Sequence, residues 1–278
     1  MQSVNEPARA APGEILGRFY ATLLESFGPQ GWWPARTRWE VIWGAIIVQN
    51  TSWRNATLAL KNLRQAGVLA WQKFRKLSVA ELEELIRPAG FYRQKASALC
   101  NFSNWVEEAH GGSLDSLFAQ ETDQVRAQLL ELKGIGPETA DAILLYSGRH
   151  AVFVADAYTR RILSRHDLLS PASDYHSAQR FLHQHLPPDE ALFNEFHALM
   201  VEAAKRHCHR TVAHCEQCPL GKFLEKPMAG SQLSAISSQP SARNSLPASI
   251  SAQTSVRGAR RGQESLGLTE RRELRANR

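Results

Sequence analysis

The segment Leu132-Lys133-Gly134-Ile135-Gly136-Pro137-Glu138-Thr139-Ala140 carries the clearest chemistry in the sequence. Gly134 and Gly136 flank one apolar residue, a spacing that permits a tight turn between two helices. Backbone N–H groups at the start of the second helix then face outward and, with the helix dipole, make a site for an anion such as phosphate. Pro137 suits the first helical position, where its missing N–H would have no partner anyway. A bare Gly-x-Gly fits an αα-hairpin turn without a ligand. The flanking apolar helices and the Thr139-Ala140 pair favour a DNA backbone as the anion.

Three further groups invite chemistry. Of four cysteines, three crowd into Cys208-x6-Cys215-x2-Cys218. A secreted disulfide framework would spread them in pairs, so this grouping fits a metal or cluster site in a reducing compartment. Cys100 stands apart on an expected helix and reads as a buried free thiol. All seven tryptophans fall within the first 105 residues. Trp39, Trp43, Trp71 and Trp105 read as core, whereas Trp32, Trp33 and Trp53, near turns, fit a pocket or a core equally well. Asp156 precedes an apolar-periodic stretch, where an N-cap belongs. In isolation that is a helix cap and nothing more.

The elements that must position these residues read as helices nearly throughout. Apolar residues recur at three and four, as in Leu16, Phe19, Tyr20, Leu23 and Leu24, and alternating strand patterns are scarce. The spacing predicts helices over Trp39–Val48, Asn55–Gln65, Val79–Ile86, Gln94–Glu108, Thr122–Leu130, Pro137–Tyr146, Tyr158–Arg165, Tyr175–His185 and Glu190–Lys205. Ser78 and Asp156 stand at cap positions. Short connections rich in Gly, Pro, Asp and Ser agree with a compact all-α protein. Residues 1–12, rich in Ala and Pro, are expected to be loose.

Composition bounds the setting. The chain has 278 residues with 33 Lys+Arg against 27 Asp+Glu, a net charge of +6 that suggests a polyanionic partner, nucleic acid ahead of a membrane surface. Residues 227–278 hold eight Arg, three Glu and no Lys, so 8 − 3 = +5 of that charge lies there and +1 in residues 1–226. The same segment has ten Ser and no aromatic residue, too little apolar surface to offset the entropy of ordering, and disorder is expected. No apolar run approaches the ~20 residues of a membrane span. The N-terminus lacks the apolar core of a secretory signal. A cytoplasmic, nucleoid-associated and monomeric protein is expected.

Five elements in order resemble the helix-hairpin-helix DNA glycosylase superfamily, the endonuclease III group in particular: Gln49-Asn50-Thr51, Gly90-Phe91-Tyr92-Arg93-Gln94-Lys95-Ala96, the Leu-Lys-Gly-Ile-Gly hairpin, Val154-Ala155-Asp156 and the cysteine cluster. The resemblance spans roughly Trp32 to Leu220. It implies base-excision repair on double-stranded DNA, with Gly134, Ile135, Gly136 and Thr139 on the DNA backbone. Asp156 matches the family's catalytic carboxylate, which would stabilise positive charge on the deoxyribose as the N-glycosidic bond breaks and orient or deprotonate the attacking water. Family members that also cut the backbone carry a Schiff-base lysine at the position held here by Glu138. That departure implies a monofunctional glycosylase using water. Glu138, with Trp32-Trp33-Pro34 and Gln49-Asn50-Thr51, is similar to the 3-methyladenine glycosylase III branch, whose substrates are alkylated purines.

By the same resemblance, Trp32, Trp33, Pro34, Trp53 and Lys205 would line the base pocket, where electron-rich rings select a cationic base. Gln49 would enter the duplex gap left by the flipped nucleotide. The cysteines match three ligands of the family's 4Fe–4S loop, whose fourth would stand at Leu224. A cluster with an incomplete cysteine set, a zinc site completed by His207, His209 or His214, and a loop without metal are the alternatives. The implied fold is all-α and two-lobed: a six-helix barrel lobe over residues 38–150 ending in the hairpin, and a second lobe from residues 13–37 with 151–226. Two other functions stay open, a bifunctional glycosylase/lyase for oxidised pyrimidines and a non-catalytic damage-binding protein.

Overall fold

The computed structural model describes residues 10–224, which form twelve α-helices with short 3-10 turns and no strand. Residues 1–9 and the segment 227–278 lie outside the described residues. The fold is all-α and two-lobed. Helix α1 (Pro12–Phe27) is followed by α2 (Arg38–Ile47), α3 (Trp53–Gln65), α4 (Trp71–Phe74), α5 (Val79–Ile86) and α6 (Tyr92–His110). Then come α7 (Leu114–Phe118), α8 (Thr122–Glu131), α9 (Pro137–Ala142), α10 (Ala157–Arg165), α11 (Tyr175–His185) and α12 (Glu190–Arg206).

Caps account for many of the boundaries. Ser78 and Glu81 form a reciprocal capping box at α5, satisfying two backbone donors. Thr37, Ser52, Asp156, Asp174 and Asp189 each accept a backbone N–H at a helix start. The expectation of a loose start through residue 12 is corrected at its end. Pro12 opens α1, because its ring presets φ where no N–H is needed.

Helix α2 is the axis of the packing. Residues 40–47 are all buried, so it reads as apolar all round rather than on one stripe. It packs against α3, α6 and α9, while α1 and α10 each pack on α12. Trp43 stacks on Phe74 at 4.0 Å and donates its indole N–H to the Leu69 carbonyl at 3.0 Å. Trp71 is buried as well, and Trp39 and Trp105 pack partly buried against the core. Cys100 is half-buried rather than buried.

One expected helix changes character part-way. The stretch from Pro137 is α-helical to Ala142 and π-helical over Ile143–Gly148, so Tyr146 lies on a widened turn. Such turns insert one residue into the helical repeat and re-aim the side chains after them.

Candidate active site and nucleic-acid interface

The Gly134–Gly136 turn is pinned from within. Ile135 is buried and its N–H reaches the Leu132 carbonyl at 3.0 Å. Gly134 has φ 97°, and a Cβ there would come within 2.6 Å of the Ala98 Cβ on α6. Only glycine meets both demands. Gly136 and Lys133 are exposed, whereas Thr139 is buried. The Gln49 amide donates to the Gly134 carbonyl at 3.0 Å and to Thr139 Oγ1 at 2.9 Å. The end of α2 is thereby tied to the hairpin.

Beside the hairpin opens a cavity of about 850 Å³, within the range of ligand pockets. The described structure brings nine of the expected site residues to its wall, Trp32, Trp33, Pro34, Gln49, Trp53, Glu138, Thr139, Asp156 and Lys205, but not Gly134, Ile135, Gly136 or the cysteines. Trp32 and Trp53 have ring centroids 4.7 Å apart, and Trp33 lies 5.4 Å from both Trp53 and Tyr146. Trp33 lies against the backbone of α2 where Gly44 leaves space; a Cβ there would stand 3.0 Å from its indole. Lys205 Nζ sits 5.8 Å from the Trp32 ring centre.

Asp156 follows the buried run Val152–Ala155 and caps α10, accepting the Thr159 N–H at 2.8 Å. Its other carboxylate oxygen faces His197 Nε2 at 3.5 Å. Burial opposes its charge, but His197 and Thr159 outweigh burial and hold its pKa below the ordinary 3.8. Glu138 is driven the other way. It is open to the cleft yet enclosed by protein, and burial first, then Asp156, lift its pKa above 4.5. The wall thus holds two carboxyl groups with opposed protonation preferences, a division suited to acid–base work.

Three residues now stand out that sequence reasoning did not single out. His197 and Tyr146 line the cavity and are hydrogen-bonded to one another. Both fall on apolar helical stripes that look like core from the sequence. Phe91 is 65% exposed with a left-handed backbone, φ 45°, unusual for a bulky residue. Its place beside Gly90 in a segment of otherwise ordinary helix-start residues was the available signal.

The cysteine loop lies apart from this cavity. Cys208, Cys215 and Cys218 border a space of about 20 Å³, room for a single water, and Leu224 lines the same space. Among the described residues no group of three or more His, Cys, Asp and Glu is arranged to hold a metal. Burial raises the Cys215 and Cys218 thiols above their ordinary range. Three sulfurs, an apolar fourth position and this volume do not fit a four-iron cluster. Arginines brace the loop: Arg165 donates to Cys208 Sγ at 2.9 Å and to the His209 carbonyl at 2.8 Å, and Arg161 to the Cys208 carbonyl at 2.7 Å. At Gly221 a Cβ would fall 1.9 Å from the Cys215 carbonyl, so the loop closes on itself.

Comparison with known proteins agrees with this geometry. Residues 43–188 match the HhH-GPD superfamily base excision DNA repair protein family. A candidate DNA repair glycosylase of Methanocaldococcus jannaschii is 41% identical over 211 residues, covering 76% of this chain and 96% of that protein. Endonuclease III of Thermotoga maritima is 28% identical, over 66% of this chain and 81% of its own. The crystal structure of the H. pylori 3-methyladenine DNA glycosylase bound to 1,N6-ethenoadenine superposes with TM-score 0.61 at 28% identity, covering 70% of this chain and 97% of that one. A trapped endonuclease III–DNA covalent intermediate shares the fold, with TM-score 0.67 at 17% identity over 80% of this chain and 99% of that one. The chain therefore belongs to the HhH-GPD superfamily of base excision DNA repair proteins and is a DNA glycosylase of that family.

Proposed function

We propose that this protein is a monofunctional glycosylase that hydrolyses the N-glycosidic bond of alkylated purines in double-stranded DNA. The observation that carries the reading is an ionised, buried Asp156 on the wall of a tryptophan-lined cavity whose lyase-lysine position is Glu138. A flipped nucleotide would place its base among Trp32, Trp33 and Trp53 and its sugar at Asp156. Asp156, Glu138 and Glu202 against Lys205 give the cavity an acidic balance, which favours a positively charged base. The indole faces add cation–π attraction. The H. pylori relative, a 3-methyladenine glycosylase, supports the same substrate class.

In the reaction the C1′–N bond breaks and its electron pair leaves with the base, while positive charge gathers on the sugar. The Asp156 carboxylate stabilises that charge. A water oxygen bonds to C1′, and its released proton passes to Asp156 and then to solvent. No amine is spent, so the strand stays intact at an abasic site. The exposed Gly134–Gly136 turn would grip a phosphate of the strand. Gln49, whose amide nitrogen is engaged with the hairpin, would reach the duplex gap only by exchanging those bonds for the orphaned base. We place the barrel lobe at residues 38–150 and the second lobe at 13–37 with 151–226, acting as a single chain. We read the cysteine loop as a brace held by arginine; iron and zinc analysis of the purified protein checks it, with no stoichiometric metal expected.

The test is release of free base from alkylated duplex DNA. Asp156→Asn keeps the Thr159 cap and is expected to lose about 10²–10³-fold in rate. Full activity in that variant refutes the reading. Borohydride should trap no protein–DNA adduct; a trapped adduct would favour a lyase.

A further inference from the structure

We propose that Tyr146, His197 and Asp156 form a buried relay in which His197 is the positioning residue that holds Asp156 oriented and charged at the sugar. The inference rests on Asp156 acting as read above, and it assigns two residues that the reading leaves without a role.

His197 occupies the apolar face of α12 between Phe193 and Met200, with a side chain 9% exposed. A polar ring there is costly unless both nitrogens are used. Nδ1 is hydrogen-bonded to the Tyr146 hydroxyl. Nε2 is buried without a hydrogen-bond partner among the described residues, and the nearest carboxylate is Asp156 at 3.5 Å across the cavity wall. Burial first, then Asp156 and Glu195, push the Tyr146 hydroxyl well above its usual range, so it keeps its proton. With that hydroxyl donating to Nδ1, the ring N–H falls on Nε2, the nitrogen facing Asp156. The geometry is fixed from three sides. Phe153 packs on the His197 ring at 6.4 Å, Trp33 on Tyr146 at 5.4 Å, and the Thr159 N–H holds the second Asp156 oxygen.

The charged groups facing the trio are Glu138 from α9, Arg160 from α10 and Glu195 from α12. Glu138 repels the Asp156 charge, and burial disfavours it. His197 is the principal group opposing both. Without it Asp156 keeps only Thr159, and burial decides.

Two readouts test this on the full chain, in His197→Phe, His197→Gln and Tyr146→Phe. The first is the pH dependence of base release. His197→Phe should displace the acid limb upward by about one pH unit or more, roughly a tenfold loss for each unit where the limb crosses the assay pH. His197→Gln, which retains a donor near Nε2, should recover most of that loss, and Tyr146→Phe should fall between. The second is acid unfolding of the free protein, which needs no substrate. In the wild type, the depressed Asp156 pKa contributes stability above pH 3.8 that is lost as pH falls through the folded value. In His197→Phe a raised pKa reverses the sign, so the deficit should widen as pH rises from 4 to 7. A deficit constant with pH, or rate profiles that superpose on the wild type after scaling, would overturn the relay and leave a packing role. Should His197→Phe fail to fold, the same profiles in the other two variants decide. Should the wild type release no base, the substrate reading fails, while the unfolding profiles still judge the relay.

Discussion

Asp141 offers the sharpest test of how the hairpin is held in place. It is fully buried on α9, next to Thr139 and Ala140. Its carboxylate accepts Arg126 Nε at 2.7 Å and Nη2 at 3.1 Å, the Tyr175 hydroxyl at 2.8 Å and the Gln179 amide at 2.7 Å. One side chain therefore ties α8, α9 and α11 together. Asp141→Ala leaves the Arg126 guanidinium, only 21% exposed, without its counter-charge, and orphans the Tyr175 donor. Gln179 retains the Phe153 carbonyl at 2.8 Å and loses less. Breaking a buried pair by removing one partner costs about 3–5 kcal/mol. At ~2–4 °C per kcal/mol for a fold of this size, Tm should drop by roughly 6–20 °C. Urea unfolding and calorimetry at neutral pH measure both quantities. Asp141→Leu with Arg126→Met removes the whole pair and should regain most of the loss, because two desolvation costs vanish with it. A single-variant loss below about 1 kcal/mol, or a double variant as unstable as the single, would refute the reasoning.

Gly134→Ala should cost about 1–3 kcal/mol through its positive φ and the Ala98 contact, and weaken binding to abasic-site DNA by more than tenfold in a titration. Glu138→Gln should raise Tm at pH 7 but not at pH 4. The folded pKa of Glu138 lies above 4.5, so its ionisation costs stability as pH rises through that value, and thermal scans at the two pH values read the difference. Ending the chain at Lys226 removes a segment of charge +5 and should flatten the salt dependence of DNA binding, with base release on short duplexes nearly unchanged.

Much of the fold was legible because its signals are local. The periodicity over Val79–Ile86 and Tyr175–His185 gave the observed helices to the residue, and Ser78 and Asp156 cap as their types demand. Helices α4 and α7, of four and five residues, escaped because a turn or so of helix has no period to detect. The π-helical break at Ile143 escaped for a related reason: one extra residue per turn barely disturbs an apolar pattern. Cys208-x6-Cys215-x2-Cys218 reads as a cluster loop, yet the thiols border space for one water, and the brace comes from Arg161 and Arg165 on a helix over forty residues away.

The amino-acid sequence by itself determined the helices, the hairpin turn and the carboxylate at the head of α10, since spacing along one chain dictates caps, periods and tight turns. Tertiary structure alone decided what those groups face. Asp156 is a plain N-cap until His197, 41 residues on, stands 3.5 Å from it, and Gln49 is a helix-end amide until the hairpin carbonyl accepts its N–H. Protonation state and hydrogen-bond partners depend on burial and on neighbours remote in sequence, and only the packing of α2, α9 and α12 supplies them.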